Sequence, residues 1–145
     1  PGVSSFLATA AVLKKEYTLP GVSQTVILTR MEGRTPMPPK EKLVDLAKHN
    51  ATMIIFLSVG MLDEMSAIVR QEYRPETPVA VVYKATWEDQ KIVRGDLTNI
   101  AERVKEAGIT KTALTVVGDF LGNDYDLSKL YDKTFTTEFR KGVTE

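Results

Sequence analysis

The sequence predicts an α/β fold: a mixed, mostly parallel sheet of about five strands with helices packed on it. Three observations predict this. Apolar, β-branched runs alternate with segments of helical periodicity, the pattern of a layered α/β domain. Three of those runs, residues 52–57, 79–83 and 113–117, are apolar almost throughout, as expected for strands covered on both faces. The chain has 145 residues, 43% hydrophobic and 26% charged, which is one domain's worth of ordinary globular sequence.

Each element has its own signal. From Ser4 to Leu13 the residues are small, and Leu7, Ala8, Ala10, Ala11 and Val12 read as a close-packing helix that Ser4 or Ser5 can cap. Pro20-Gly21 is a turn and residues 25–29 are a strand. Glu32 to Pro39 holds one Gly and three Pro, hence a loop. Lys40 to His49 sets Leu43, Val44, Leu46 and Ala47 against charged neighbours, an amphipathic helix. Residues 52–57 are the second strand. Leu62, Met65, Ile68 and Val69 space a helix that Pro75 and Pro78 end. Residues 79–83 form a buried strand, and 91–94 an antiparallel partner across the Lys84–Gln90 loop. Leu97, Ile100, Ala101 and Val104 space another helix. Gly108 stops it in the left-handed region, with Ile109 set to touch Val104. Residues 113–117 are the last strand. The tail from Asp119 is loop with some extended pairing near Phe135.

Composition excludes several functions. With no Cys and one His, there is no disulfide, thiolate nucleophile or Cys- or His-rich metal centre. His49 sits in a helix's last turn, where it complements the dipole. Net charge is zero, which argues against nucleic acid or a membrane surface as partner. The neutrality hides a gradient: residues 1–48 carry +3, 49–96 carry −2 and 97–145 carry −1. A basic first third containing Arg30, Arg34, Lys40 and Lys42 suits a small polyanionic ligand, or is simply a solvated surface. No run reaches the ~20 apolar residues of a membrane span and no signal peptide is visible, so a cytoplasmic protein is expected. The chain starts Pro1-Gly2-Val3 with no Met, which we read as a fragment or a processed product.

In parallel α/β sheets, ligands gather at the carboxyl ends of strands. That rule singles out Arg30–Thr35, Ser58–Gly60, Lys84–Trp87 and Gly118–Leu121. Five stretches carry a family resemblance: residues 1–6 (PGVSSF), 29–36 (TRMEGRTP), 56–58 (FLS), 78–87 (PVAVVYKATW) and 128–135 (SKLYDKTF). In this order they resemble tetrapyrrole methylases, the S-adenosylmethionine-dependent enzymes of cobalamin and sirohaem synthesis. The second and fifth resemble one member more closely than the rest. The resemblance covers essentially the whole chain, but only the family's second domain. The Gly-Gly-Asp-Pro-type loop of the first is missing, since Gly95-Asp96 and Gly118-Asp119 lack the Pro and lie elsewhere. It therefore implies that residues 1–145 are a single domain, the C-terminal half of a two-domain methyltransferase, with the N-terminal domain absent.

The resemblance also implies site residues. Ser4 and Ser5 match a pair that touches the cofactor; helix capping alone is the alternative. Leu57 matches a position that packs on the adenosine, or is plain core. Ala85, followed by Thr86, matches the small residue whose backbone hydrogen-bonds adenine. Arg30, Glu32, Arg34 and Thr35 form a loop suited to a carboxylate-ringed tetrapyrrole, because guanidinium binds carboxylates in a fork; alternatively Glu32 pairs with an Arg to stiffen the loop. Lys84 and Trp87 either line the same cleft or, for Trp87, plug the domain edge. Asp119 and Phe120 suggest only local structure. The implied reaction moves a methyl group from a sulfonium to a ring carbon, so alignment is the main task. The resemblance implies no protein-bound metal, a homodimer, and reliance on the N-terminal domain. No catalytic base is identifiable. A different methylase of the family, or a non-catalytic domain for a nucleotide-like ligand, are the competing readings.

Overall fold

The computed structural model describes residues 2–124, 126 and 132–143. Among these the elements run α1 (Ser5–Leu13), β1 (Val26–Arg30), α2 (Leu43–Ala47), β2 (Thr52–Phe56), α3 (Leu62–Val69), β3 (Pro78–Tyr83), β4 (Lys91–Asp96), α4 (Ile100–Glu106) and β5 (Ala113–Val117). Every predicted strand is present. Helix α2 is shorter than the Lys40–His49 prediction, because residues 38–41 close a turn, with the Glu41 amide donating to the Pro38 carbonyl at 2.9 Å. Helix α4 stops as predicted: Gly108 has φ +69° and the Ile109 amide donates back to the Val104 carbonyl at 3.2 Å. In the tail Thr137 bridges Arg140, which gives the extended pairing expected near Phe135. Residues 128–131 of the 128–135 tail motif lie outside the described residues.

The sheet order is β1-β2-β5-β3-β4. Side chains of its central strands alternate between two cores, as the pleat requires. Met53, Ile55, Val79, Val81 and Val117 face α2, α3 and α4 through Leu43, Ala47, Leu62, Met65, Val69, Ile100 and Val104. Ile54, Ala80, Val82, Leu114 and Val116 face α1 and the segment after it through Leu13, Tyr17 and Leu19. Both faces are thus covered, and this is why the central strands read as continuous apolar runs.

That coverage does not make the sheet mostly parallel. Only β1 and β2 pair parallel; β2–β5, β3–β5 and β3–β4 are all antiparallel. The reason is chain parity. The β3–β4 hairpin reverses direction, α4 crosses back, and β5 then enters at the end where β3 left. β5 slots between β2 and β3, so β1, β2 and β3 still point the same way without β3 touching β2. One expectation falls with this. Gly118–Leu121 follow β5 and lie at the opposite end of the sheet from Arg30, Leu57 and Lys84. There Asp119 takes a two-pronged ion pair from Arg74 at 3.0 Å and Phe120 is fully buried, both structural roles.

Candidate functional site

The carboxyl ends of β2 and β3, the amino end of β5 and one side of α1 meet at one place. A cavity of about 650 Å³ opens there, within the range of small-molecule sites, roughly 300–1,000 Å³. Ser5 and Thr9 of α1, Phe56 at the end of β2 and Leu57 after it, residues 84–87 after β3 and residues 110–112 before β5 line it. Its rim is apolar and open to solvent: Val3 is 78% exposed, Leu57 70% and Trp87 64%. Large apolar side chains grouped this way on a surface mark a binding site more often than scattered ones do.

The backbone around the cavity is strained. Leu57, Lys84, Thr86 and Thr112 have φ of 51°, 45°, 71° and 57°. Each residue in this region costs roughly 1–3 kcal/mol and persists only when its surroundings hold it there. The contacts that hold the β3–β4 loop are visible. The Lys84 amide donates to the Thr112 carbonyl at 3.0 Å, and the Trp87 amide to the Lys84 carbonyl at 3.0 Å. The Thr86 amide donates to the Gln90 side-chain oxygen at 2.7 Å. The Lys84 ammonium sits 2.5 Å from an Asp89 carboxylate oxygen, and 5.1 and 5.4 Å from the Tyr83 and Trp87 ring centres. The hydrogen bond from Lys84 holds the Asp89 carboxyl below the usual carboxylate range and, in return, raises the Lys84 ammonium.

Two polar features of the wall are left over. The Ala85 amide and carbonyl have no hydrogen bond among the described residues. The Thr9 hydroxyl is buried and unpartnered, which is uncommon enough in a folded interior to ask for a partner. Beneath the floor, by contrast, Ser58 is satisfied. Its single proton goes to the Ile55 carbonyl at 2.8 Å, so in the 2.7 Å contact with Thr115 the threonine hydroxyl donates. That link ties the end of β2 to β5.

The loop after β1 is a separate structure. Arg30 donates to the Met31 and Thr35 carbonyls at 3.1 Å and to Pro36 at 3.0 Å. Glu32 accepts from the Met37 amide at 3.3 Å, so it stiffens the loop through the backbone and not by pairing with an Arg. Arg30 and Glu32 border a second cavity of about 260 Å³ with α2 and α3. Arg34 and Thr35 are exposed and line neither cavity.

Of the predicted residues, the fold therefore gathers Ser5, Leu57, Ala85 and Thr86, with Lys84 and Trp87, around one cavity. Leu57 is not core. Ser4 starts α1 with its carbonyl but makes no side-chain cap, so capping does not occupy its hydroxyl. Thr86 cannot offer its amide, which Gln90 holds. Sequence reasoning missed Thr9 and the Thr110–Thr112 loop. Threonine gives no sign of a left-handed φ, and the loop's arrival follows from β5 running antiparallel to β2 and β3, against the mostly parallel sheet expected.

Residues 1–101 match the family model described as tetrapyrrole (corrin/porphyrin) methylases. The chain belongs to the tetrapyrrole methylase family. Among curated relatives in this family, the cobalt-precorrin-4 C(11)-methyltransferase of Methanocaldococcus jannaschii is 62% identical over 143 residues, 97% of this chain and 55% of that protein. The enzyme of the same name from Priestia megaterium is 49% identical, over 99% of this chain and 57% of its own length. The X-ray structure of a cobalamin biosynthetic enzyme, cobalt precorrin-4 methyltransferase, superimposes with a TM-score of 0.82 at 45% identity, over 85% of this chain and 52% of that one. A Thermus thermophilus uroporphyrin-III C-methyl transferase, solved with S-adenosyl homocysteine, shares the tetrapyrrole methylase fold at TM-score 0.67 and 21% identity, over 83% of this chain and 52% of its own. The chain spans about half the length of the curated relatives it matches. Among the described residues no helix is long and apolar enough to cross a membrane, and no cluster of three His, Cys, Asp or Glu side chains is placed to hold a metal.

Proposed function

We propose that this chain is the C-terminal half of an S-adenosylmethionine-dependent methyltransferase that acts at C-11 of cobalt-precorrin-4 or precorrin-4 in cobalamin biosynthesis. The observation that carries the reading is the convergence of Ser5, Leu57, Ala85 and Thr86 on one cavity of the right size. An N-terminal domain contributes the other side of the cleft. The assembly is a homodimer, as the family resemblance implies, and cytoplasmic.

The residues suit the donor. The open Ala85 amide and carbonyl match the mixed donor and acceptor edge of adenine, and Leu57 offers an apolar surface to the adenosine. Thr9 has a hydroxyl in need of a partner, and the start of α1 at Ser4 and Ser5 presents free amides. When bound, S-adenosylmethionine supplies a methyl group on a sulfonium, already a good leaving group. The chain's task is therefore alignment and exclusion of water, and positioning supplies ~7–11 kcal/mol in well-oriented reactions. Val3, Leu57 and Trp87 form an apolar rim that sheds water when a ligand or the N-terminal domain covers it. On the substrate side, Arg34 and Thr35 stand free to meet ring carboxylates, while Arg30 and Glu32 hold the loop that presents them.

Calorimetry with S-adenosylhomocysteine tests the reading, on this chain and on the full-length protein. Weak binding by the chain and much tighter binding by the longer protein is the expected result. Equal affinity overturns the split cleft, and binding by neither overturns the cofactor assignment.

A further inference from the structure

We propose that Gln90 is a positioning residue, whose side chain holds residues 84–86 in the shape that leaves the Ala85 amide and carbonyl to read the ligand. The inference rests on the cofactor reading above. It goes further by assigning a role to a side chain outside the cavity lining.

The case is one of hydrogen-bond accounting. Of the four residues 84–87, three have their amides occupied: Lys84 by Thr112, Trp87 by Lys84 and Thr86 by Gln90. The Lys84 carbonyl is taken as well. Ala85 alone keeps both groups open, and it sits between two residues forced to positive φ. For a β-branched residue such as Thr86 that conformation is a genuine outlier, so something must fix it. The Gln90 amide donates to the Trp87 carbonyl at 3.1 Å, which anchors the Gln90 backbone and aims its side chain back at Thr86. The clasp thus removes a competing donor and locks the turn. An adenine edge puts an acceptor beside a donor and matches one amide with one carbonyl. Hypoxanthine reverses both groups and mismatches both.

The test uses the full-length protein, with S-adenosylhomocysteine and its hypoxanthine analogue as probes in calorimetry. Gln90→Met keeps the length and loses the acceptor. It is expected to weaken S-adenosylhomocysteine binding about tenfold and to narrow the preference for adenine over hypoxanthine. Gln90→Glu keeps an acceptor oxygen at the same reach and restores most of both. The unliganded melting temperature of Gln90→Met stays near that of the wild type, because Thr86 is exposed. Retention of affinity within about twofold with the preference intact overturns the proposal. So does equal damage by Glu and Met, or a parallel loss for both probes with a lowered melting temperature, since a merely structural role weakens both alike. Wild-type protein that binds neither probe overturns the cofactor reading and this inference together; wild-type binding with indifferent variants overturns this inference alone.

Discussion

The loops after β1 and β3 leave the same end of the sheet and solve the same problem with opposite materials. In residues 30–37 a guanidinium folds back on three carbonyls of its own loop, and the charge that remains outward is Arg34. In residues 84–90 the side chains of Asp89 and Gln90 clasp their own loop, and the residue left with both backbone groups open is Ala85. The first loop spends a side chain to present a side chain; the second spends side chains to present an amide and a carbonyl. Charge in a loop therefore does not identify the charge that is offered to a ligand. Arg30 and Arg34 are equivalent in the sequence and differ in the fold.

The largest expected effect tests the first half of that contrast. Arg30→Met releases three carbonyls at once and is expected to weaken tetrapyrrole binding about 30-fold while S-adenosylhomocysteine affinity holds. Arg30→Lys rescues little, because an ammonium cannot reproduce the planar fork. Calorimetry with each ligand separates the two; loss of both affinities together breaks the distinction between the loops. Next, Arg34→Ala is expected to weaken tetrapyrrole binding about tenfold, as the loss of one charge-assisted contact. Its melting temperature should be unchanged, since Arg34 is exposed. A variant with wild-type affinity returns Arg34 to the solvated surface.

The third prediction is a pH effect on the clasp of the second loop. Asp89 is lowered by Lys84, so the folded value lies below the unfolded one. The clasp is complete above the ordinary carboxylate range and is lost as pH falls through the lowered Asp89 value. The first loop's main clasp, a guanidinium on neutral carbonyls, contains no carboxylate. Trp87, the only tryptophan of the chain, lies beside Lys84 and reports the change by fluorescence. Asp89→Asn should abolish that acid transition and weaken S-adenosylhomocysteine about threefold, the scale of an exposed ion pair. A transition that survives the substitution assigns it elsewhere. The smallest effect is Thr9→Val, expected to cost about twofold in S-adenosylhomocysteine affinity while leaving stability unchanged or raised, because it removes an unpaired buried hydroxyl. A loss larger than that of Gln90→Met would move the reading of the ligand from the β3–β4 loop to α1.

Much of this was legible in the sequence. Continuous apolar, β-branched runs and the Gly108 stop are local signals, written in consecutive side chains, and the runs placed every strand. The family motifs placed Ser5, Leu57, Ala85 and Thr86, and the fold brings them to one cavity. What escaped were hydrogen bonds fixed by loop conformation, most of them between near neighbours and one between distant residues. Gln90 occupying Thr86, Arg30 occupying Thr35 and Pro36, and Thr112 accepting from Lys84 all depend on where loops return.

The sequence by itself therefore determined which segments are strands and helices and that both faces of the sheet are covered, because helical periods and unbroken apolar strand runs are written in consecutive residues. It also determined that this chain itself supplies no thiolate and no Cys- or His-rich ligand set, because it has no Cys and one His. Only the tertiary structure decided that β5 runs antiparallel between β2 and β3. That placement brings Thr110–Thr112 to the cavity and sends Gly118–Leu121 to the far end. Strand direction follows from counting reversals along the whole chain, and a buried apolar strand looks the same read from either end.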